Sequence, residues 1–438
     1  MAYVSNGLGK SLGLVATTSI VVGTVIGSGV FVKPAKVLLA AGTPGLALAA
    51  WLAGALLTIT AGLTIAEIGA RIPKTGGLYA YIEELFGEKI GFLCGWMLSL
   101  VYGPSLVAAL AAFFAVLLQR FYPYADSLKP VIAISAIAVL TILNVISTKL
   151  GGAIATATTI GKLIPVFLIA IVGVLFMPGS PNLSAQVPDV IPGLSSFATA
   201  VLATLWAYEG WILVGNMAGE VKDAEKNLPR AIIIGLLIVM IAYMTVNFAL
   251  FKVLPIETFL EHKDKTINFA STQMFGAAGG LLISIGVLIS IAGCLNNNVL
   301  TTSRVPFALS GRYHVPVISK VSQAFGTPLN ATVMTSLIAV LLIILFDDPH
   351  QITDLAVFSI YIFVLMALFG IFQLRKKDNG TYKGYRVPLY PIVPVLAIVS
   401  IAFVQYNTFI TQMKVSLFGV GVTLLGFLGF AFLSKRRS

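Results

Sequence analysis

The chain has 438 residues, of which 58% are hydrophobic and only 10% are charged, and its mean hydropathy is +0.97. So much apolar surface excludes a soluble globular protein and predicts an all-α polytopic membrane protein. The formal net charge of +11 would suit a nucleic-acid partner. Basic residues beside membrane spans serve topology instead, so we expect a lipid bilayer and no nucleic acid.

Apolar runs long enough to cross the hydrocarbon core recur along the chain between short polar or Gly/Pro-containing turns. They predict 12 transmembrane helices in one transporter domain. The predicted spans are residues 12–41, 44–70, 90–121, 129–147, 152–177, 194–220, 231–254, 279–303, 328–346, 352–374, 388–408 and 415–434.

The basic residues predict the orientation of these spans. Most of the 28 Lys and Arg residues fall on the side that holds both termini, which predicts an even number of spans with cytoplasmic termini. Lys33, Lys36 and Lys162 fall within spans, and the roles of Lys33 and Lys36 are not evident from the sequence. The polar stretch to Lys10 runs directly into a span, so we expect no cleaved signal peptide.

The chain offers few groups for catalysis or metal binding. Cys94 and Cys294 lie inside apolar runs, so neither is expected to form a disulfide or a metal cluster. The three histidines, His262, His314 and His350, are scattered over predicted loops. The sequence has no phosphate-binding loop for ATP and no evident nucleophile-base pair. We therefore expect neither an enzyme nor a metal or other cofactor.

The first span contains a glycine-rich interruption at residues 23–31. Each of its three glycines weakens a helix by about 1 kcal/mol, which predicts a broken helix. An opened helix presents amides at one end and carbonyls at the other, with partial charges of about +0.5 and −0.5, a pattern that matches a zwitterion. Alternatively, Gly27 and Gly29 form a small-residue helix contact. The backbone predicted to bind substrate is that of Val25, Ile26, Gly27, Ser28 and Gly29.

A second interruption occurs in the sixth span at residues 206–211, where a carboxylate and a glycine lie among aromatic residues. Carbonyls near Val25 and from Ala207 to Glu209 are expected to bind an ammonium group. Breaks in the first helix of two five-span groups predict an inverted repeat. The expected repeats are residues 1–178 and 179–375, followed by two further helices in residues 376–438.

Three motifs, at residues 23–31, 74–79 and 219–230, resemble the amino acid-polyamine-organocation superfamily. Within it, the chain looks most similar to the L-type amino acid transporter family, and above all to bacterial exchangers of alanine, serine, cysteine or threonine. The resemblance covers essentially the whole chain. It implies the LeuT-type fold of ten core helices plus two, and exchange of small neutral L-amino acids by alternating access.

The resemblance also implies roles for individual residues. Lys162 resembles a stand-in for the sodium ion of coupled relatives, bridging the opened first helix to the eighth span, so transport is expected to be sodium-independent. A lysine in mid-span costs about 2.5–3.5 kcal/mol and needs partners. Trp206 matches an aromatic gate over the substrate, and Tyr208 begins the unwound segment. Tyr243 and Asn296 are expected polar neighbours of the substrate, or simply make interhelical hydrogen bonds.

Glu209 stands where large-neutral-substrate relatives have glycine. Its side chain is expected to shrink the pocket and favour small neutral substrates. An intramembrane carboxylate would also pair with a cationic substrate, so a cationic amino acid or agmatine-type antiporter is the alternative, beside a proton-coupled symporter or a channel-like sensor. Animal L-type transporters join a heavy subunit through a cysteine between spans 3 and 4. Residues 119–128 contain no cysteine, so we expect no heavy subunit and a bacterial plasma membrane location.

Overall fold

The computed structural model describes residues 12–72, 77–146, 163–179, 181–188, 190–214, 221–323, 327–346, 348–378 and 382–434. Over these ranges the chain forms helices joined by short turns, and no β-sheet. The all-α architecture predicted from the sequence is confirmed.

The helices of the first half of the chain are α1 (Leu14–Val25), α2 (Gly29–Val32), α3 (Pro34–Ala41), α4 (Pro44–Arg71), α5 (Gly77–Phe86), α6 (Glu88–Met97), α7 (Gly103–Leu118), α8 (Lys129–Ile146) and α9 (Leu163–Leu175). The helices of the second half are α10 (Leu194–Ala207), α11 (Ala224–Val253), α12 (Ile256–His262), α13 (Thr266–Thr302), α14 (Arg304–Arg312), α15 (Pro316–Ser319), α16 (Leu329–Leu345), α17 (Pro349–Lys376), α18 (Ile392–Thr411) and α19 (Met413–Ser434).

Ten helical segments in the described part of the chain are long and apolar enough to cross a membrane. Two shorter apolar helices, α9 and α16, lie where the fifth and ninth spans were predicted. The polytopic membrane class is therefore confirmed, whereas the count of 12 spans and the division at residues 178 and 375 stay predictions.

The turn between the first two spans shows how local sequence sets helix ends. Gly42 ends α3 in the left-handed conformation, with φ of +85°, which glycine adopts without steric cost. Thr43 then caps α4, because its Oγ1 accepts a hydrogen bond from the Leu46 amide at 3.2 Å. Pro44 occupies the first helical position, where its missing amide is no loss.

The first, third and eighth spans contain interruptions that the sequence did not predict. The first span is interrupted at residues 26–28 and again at Lys33, after which Pro34 starts α3. A π-helical turn, Leu98–Tyr102, separates α6 from α7, and such turns often mark functional sites. In α13, Gly276 has non-helical angles (φ 70°, ψ 178°). This kink separates residues 266–275 from the helix after it, which begins close to residue 279, where the eighth span was predicted to start.

Burial divides the helices into a centre and a rim. The most apolar windows of the third and sixth spans are each 83% buried, whereas those of α8, α18 and α19 are 22%, 33% and 28% buried. Apolar residues on the weakly buried helices have lipid as their solvent. The broken sixth span therefore lies at the centre of the bundle, where a ligand is shielded from both lipid and bulk water.

Candidate substrate site

The two helix breaks lie against each other. A β-carbon added at Gly29 would lie 2.3 Å from the Ala207 α-carbon. One added at Gly210, whose φ is +108°, would lie 2.8 Å from the Thr24 carbonyl oxygen. Only residues without a side chain permit this approach of the two backbones. The sequence predicted both breaks, and the folded chain brings them to one buried point.

The first break leaves amides free. The amides of Ser28 and Gly29 donate none of the backbone hydrogen bonds that the described residues make outside their helices. The Ile26 amide still bonds Val22, and the Gly27 amide faces the Tyr243 hydroxyl. Ser28 is buried, with 2% of its surface exposed. Because they begin a helix, these amides carry part of its positive end. Such amides suit an anionic group, and binding of a substrate carboxylate here stays a prediction.

Tyr243 joins the two breaks. Its hydroxyl lies 3.0 Å from the carbonyl oxygens of both Val25 and Ala207, positioned to donate to either one. The Tyr243 ring also packs on Tyr208 and Trp51, with ring centroids 5.1 and 5.7 Å away. Tyr243 therefore fixes the spacing of the two carbonyls, and it is one of the polar neighbours that the sequence singled out.

The other predicted neighbour, Asn296, faces a different helix. Its Oδ1 accepts a hydrogen bond from Asn144 Nδ2 of α8 at 2.8 Å. This contact is the interhelical hydrogen bond that the sequence left open as an alternative. Lys162, the predicted sodium stand-in, lies outside the described residues.

Glu209 points towards the π-helical turn of the third span. Its Oε1 accepts a hydrogen bond from the Tyr102 hydroxyl at 2.9 Å, and only 7% of the residue is exposed. Its Oε2 is buried and has no hydrogen-bond partner among the described residues. A buried, unpaired acceptor is costly, so Oε2 is ready to accept a donor. No pattern in the sequence indicates Tyr102, because its role depends on contacts between spans 3 and 6.

Trp206 lies near the end of α10 and is 6% exposed. The Lys33 ammonium lies 6.0 Å from the centroid of its ring and 5.9 Å from that of Phe113. These distances allow cation–π attraction. The predicted gate residue is thus next to the second interruption of the first span, a neighbour that the sequence did not indicate.

Two side chains near Lys33, those of His350 and Lys36, lie in surroundings that the sequence did not predict. His350 was expected in a loop but lies in the first turn of α17 and is 9% exposed. Lys36, in α3, forms an ion pair at 3.1 Å with Asp354, which lies in α17 like His350. The partner residues are more than 300 positions away in the sequence, so no local pattern indicates the pairing.

A second charged cluster lies where α4 and α17 end, at the face opposite to Lys33 and His350. Glu67 is fully buried and pairs with Arg71 at 2.8 Å and Arg375 at 2.6 Å. Desolvation acts to raise the pKa of Asp378, but hydrogen bonds from the Tyr382 amide and Arg71 hold that pKa below its ordinary value. This carboxylate therefore stays ionised at neutral pH. The contacts tie α4 to the segment after α17, consistent with a structural role for Glu67.

A bundle of apolar helices with two helices opened at one buried point is the arrangement of a secondary transporter. A family model described as amino acid permease matches residues 12–430. The chain belongs to the amino acid permease family, which confirms the resemblance seen in its motifs.

Individual relatives are consistent with this assignment. Over 436 residues, 99% of each protein, the chain is 42% identical to the serine/threonine exchanger SteT of Bacillus subtilis (strain 168). It is 32% identical to the human large neutral amino acids transporter small subunit 2, over 88% of this chain and 74% of that protein. It is 30% identical to the human Asc-type amino acid transporter 1, over 98% of this chain and 84% of that protein. All three are named as transporters or exchangers, as predicted.

Proposed function

We propose that the protein is a sodium-independent exchanger of small neutral L-amino acids, such as alanine, serine, threonine and cysteine, that works by alternating access. The observation that carries this proposal is the meeting of two helix breaks, one with free amides and one with a buried acceptor. The name of the relative SteT supports serine and threonine as substrates.

The backbone of the breaks is suited to the groups that all amino acids share. The amides of Gly27, Ser28 and Gly29 are the proposed partners of the substrate carboxylate. The carbonyls near Val25 and those of residues 207–209 are proposed for its ammonium group. The Val25 and Ala207 carbonyls also face Tyr243, but each carbonyl oxygen has two lone pairs and can accept a second bond.

Glu209 is the proposed selector of the substrate side chain. Its carboxylate fills space that a glycine would leave open, which favours small substrates. The unpartnered Oε2 would accept a hydrogen bond from a serine or threonine hydroxyl. The same oxygen favours the second candidate function, exchange of cationic amino acids or agmatine, because a buried carboxylate also pairs with a cation.

We further propose that Lys162 replaces the coupling sodium ion and that Trp206 closes over the substrate. The proposed location is a bacterial plasma membrane with both termini cytoplasmic, as the Lys and Arg distribution predicts. No heavy subunit is proposed, because the segment between the third and fourth spans has no cysteine.

Counterflow into proteoliposomes tests the proposal. Vesicles preloaded with serine should accumulate labelled serine and alanine equally with and without a sodium gradient. Empty vesicles should accumulate much less, which separates an exchanger from a channel. An absolute requirement for sodium, or exchange of arginine in preference to serine, would refute the small neutral, sodium-independent proposal.

A matched pair of variants tests Glu209. Replacement of Glu209 by Gly should extend exchange to leucine and lower the preference for serine over alanine by about tenfold, the effect of one hydrogen bond to a charged group. Glu257 of α12 is exposed, so Glu257→Gln is the control and should keep the wild-type substrate profile. If Glu209→Gly keeps the wild-type selectivity, Glu209 does not line the substrate pocket.

A further inference from the structure

A buried polar chain joins three distant segments at the face opposite to the one where α1 begins. The Lys33 ammonium lies 2.6 Å from Thr353 Oγ1 and 3.0 Å from His350 Nδ1. The other imidazole nitrogen, Nε2, lies 2.9 Å from Asp264 Oδ1. Lys33 is fully buried. The first span, the start of α17 and the turn before α13 are thus held together by Lys33, His350 and Asp264, which we call the outer latch.

The hydrogen-bond partners in the outer latch suit a protonated Lys33 beside a neutral His350. With Lys33 as an ammonium group, which only donates, His350 Nδ1 accepts from Lys33 and Nε2–H donates to the Asp264 carboxylate. The Thr353 hydroxyl donates to the His350 carbonyl at 2.7 Å and is free to accept from Lys33. Two of the three N–H donors of Lys33 then have an acceptor, and the third lies among the Phe113 and Trp206 rings. A further proton on His350 would set two donors against each other at 3.0 Å, and Lys33 would lose its imidazole partner.

Several charged groups surround His350, and they lie on different elements at this face. The nearest carboxylates and cations outside the latch are Lys36, Asp348 and Asp354. The charged and titratable groups that line the adjoining cavity are Asp126, Lys129, Glu261, His262, Lys263 and Lys265. From α7, the uncharged Phe113 ring packs on the imidazole at 5.3 Å. Among the described residues, the hydrogen-bond partner of His350 Nδ1 is Lys33, and none of these surrounding groups forms a hydrogen bond with that nitrogen.

The adjoining cavity connects the outer latch to the aqueous side. It has a volume of about 460 Å³, and Asp264, Pro349 and Ile352 are among its lining residues. His350 itself is 9% exposed. Protons on this side can therefore reach the Asp264–His350 end of the latch without passing the substrate site.

We infer that the outer latch holds the outer half of the first span closed over Trp206, and that one proton taken up by His350 releases Lys33 and lets this face open. Protonated His350 keeps its bond to Asp264, so the release is at Lys33. Because Lys33 also lies 6.0 Å from the Trp206 ring, its departure frees the gate residue. The inference extends the alternating access of the proposed function but does not depend on which amino acid is carried.

Chemical labelling of the native Cys294 measures opening of this face without a transport assay. Its Sγ lies 3.3 Å from where a β-carbon on Gly27 would be, at the first helix break, whereas Cys94 is fully buried. A membrane-impermeant thiol reagent is added to the face opposite the N-terminus of the full-length protein in proteoliposomes. Cys294→Ser identifies the labelled position. Labelling rates are compared between variants at the same pH, because thiol reactivity itself changes with pH.

The decisive variant is His350→Gln, because a glutamine amide can accept from Lys33 and donate to Asp264 but does not titrate. At about pH 7.5 wild type and His350→Gln should be labelled equally slowly. At about pH 4.5, well below the range in which an ordinary histidine titrates, wild type should be labelled about tenfold faster. Lys33→Met should be labelled rapidly at both pH values. The comparison of wild type with His350→Gln decides by itself if Lys33→Met does not fold.

His262→Gln is the matched control, because His262 lines the same cavity but lies outside the latch. It should keep the wild-type pH response. Equal labelling of wild type and His350→Gln at both pH values would overturn the outer latch, as would loss of the pH response in His262→Gln. Failure of serine and alanine counterflow would instead refute the proposed function and leave the labelling result unaffected.

Discussion

The contact between the two helix breaks makes a quantitative prediction for Gly29→Ala. The added methyl would lie 2.3 Å from the Ala207 α-carbon and 2.6 Å from its β-carbon, more than 1 Å inside ordinary contact. Backbone atoms cannot rotate away as a side chain can. Overpacking of this kind costs about 1–3 kcal/mol, and we expect the upper end of that range.

Gly27→Ala is the matched comparison within the same break. Its methyl would meet only the Cys294 sulfur at 3.3 Å and the Val25 carbonyl oxygen at 3.8 Å, so a small rotation relieves it. We expect its free energy of unfolding to change by less than about 1 kcal/mol. Its KM for serine should rise about tenfold, because the methyl occupies space beside the carboxylate-binding amides.

Thermal unfolding in detergent and counterflow in proteoliposomes separate the two effects. Ala207→Gly removes the methyl at 2.6 Å but leaves the α-carbon at 2.3 Å, so Gly29→Ala combined with it should recover only part of the lost stability. Equal unfolding temperatures for Gly27→Ala and Gly29→Ala would refute the close approach of the breaks. It follows that Gly29 substitutions alone test packing and binding together, and that position 27 is the cleaner test of binding.

Three further predictions concern the polar contacts around the breaks and on the opposite face. Tyr243→Phe leaves two buried carbonyls without their shared donor and should lower the free energy of unfolding by about 1–3 kcal/mol; unchanged thermal unfolding would show that the bridge is dispensable. Glu67→Gln leaves two arginines without their buried carboxylate and should cost about 3–5 kcal/mol, against a change within about 0.5 kcal/mol for the exposed Glu257→Gln. Tyr102→Phe removes the donor to Glu209 Oε1, so the KM ratio of serine to alanine should change by about tenfold; an unaltered ratio would separate Tyr102 from selectivity.

Much of the fold follows from one-dimensional patterns. Hydropathy gives the spans, because lipid accepts only segments that satisfy their own backbone hydrogen bonds. A glycine cluster indicates the break near residues 26–28, and a single glycine beside a carboxylate indicates the break near residues 208–210, because glycine weakens helices wherever it lies. The π-helical turn at Leu98–Tyr102 has no such signal, since its apolar sequence equally suits an α-helix.

The site divides in the same way. By itself, the sequence determined that two helices open and that free amides and a carboxylate lie at the openings. Only the tertiary structure decided that Gly29 meets Ala207, that Tyr102 takes one oxygen of Glu209, and that Lys33 ends beside His350. Residues about 100 to more than 300 positions apart meet only through helix packing, and the energy of a buried polar group depends on which partner that packing supplies.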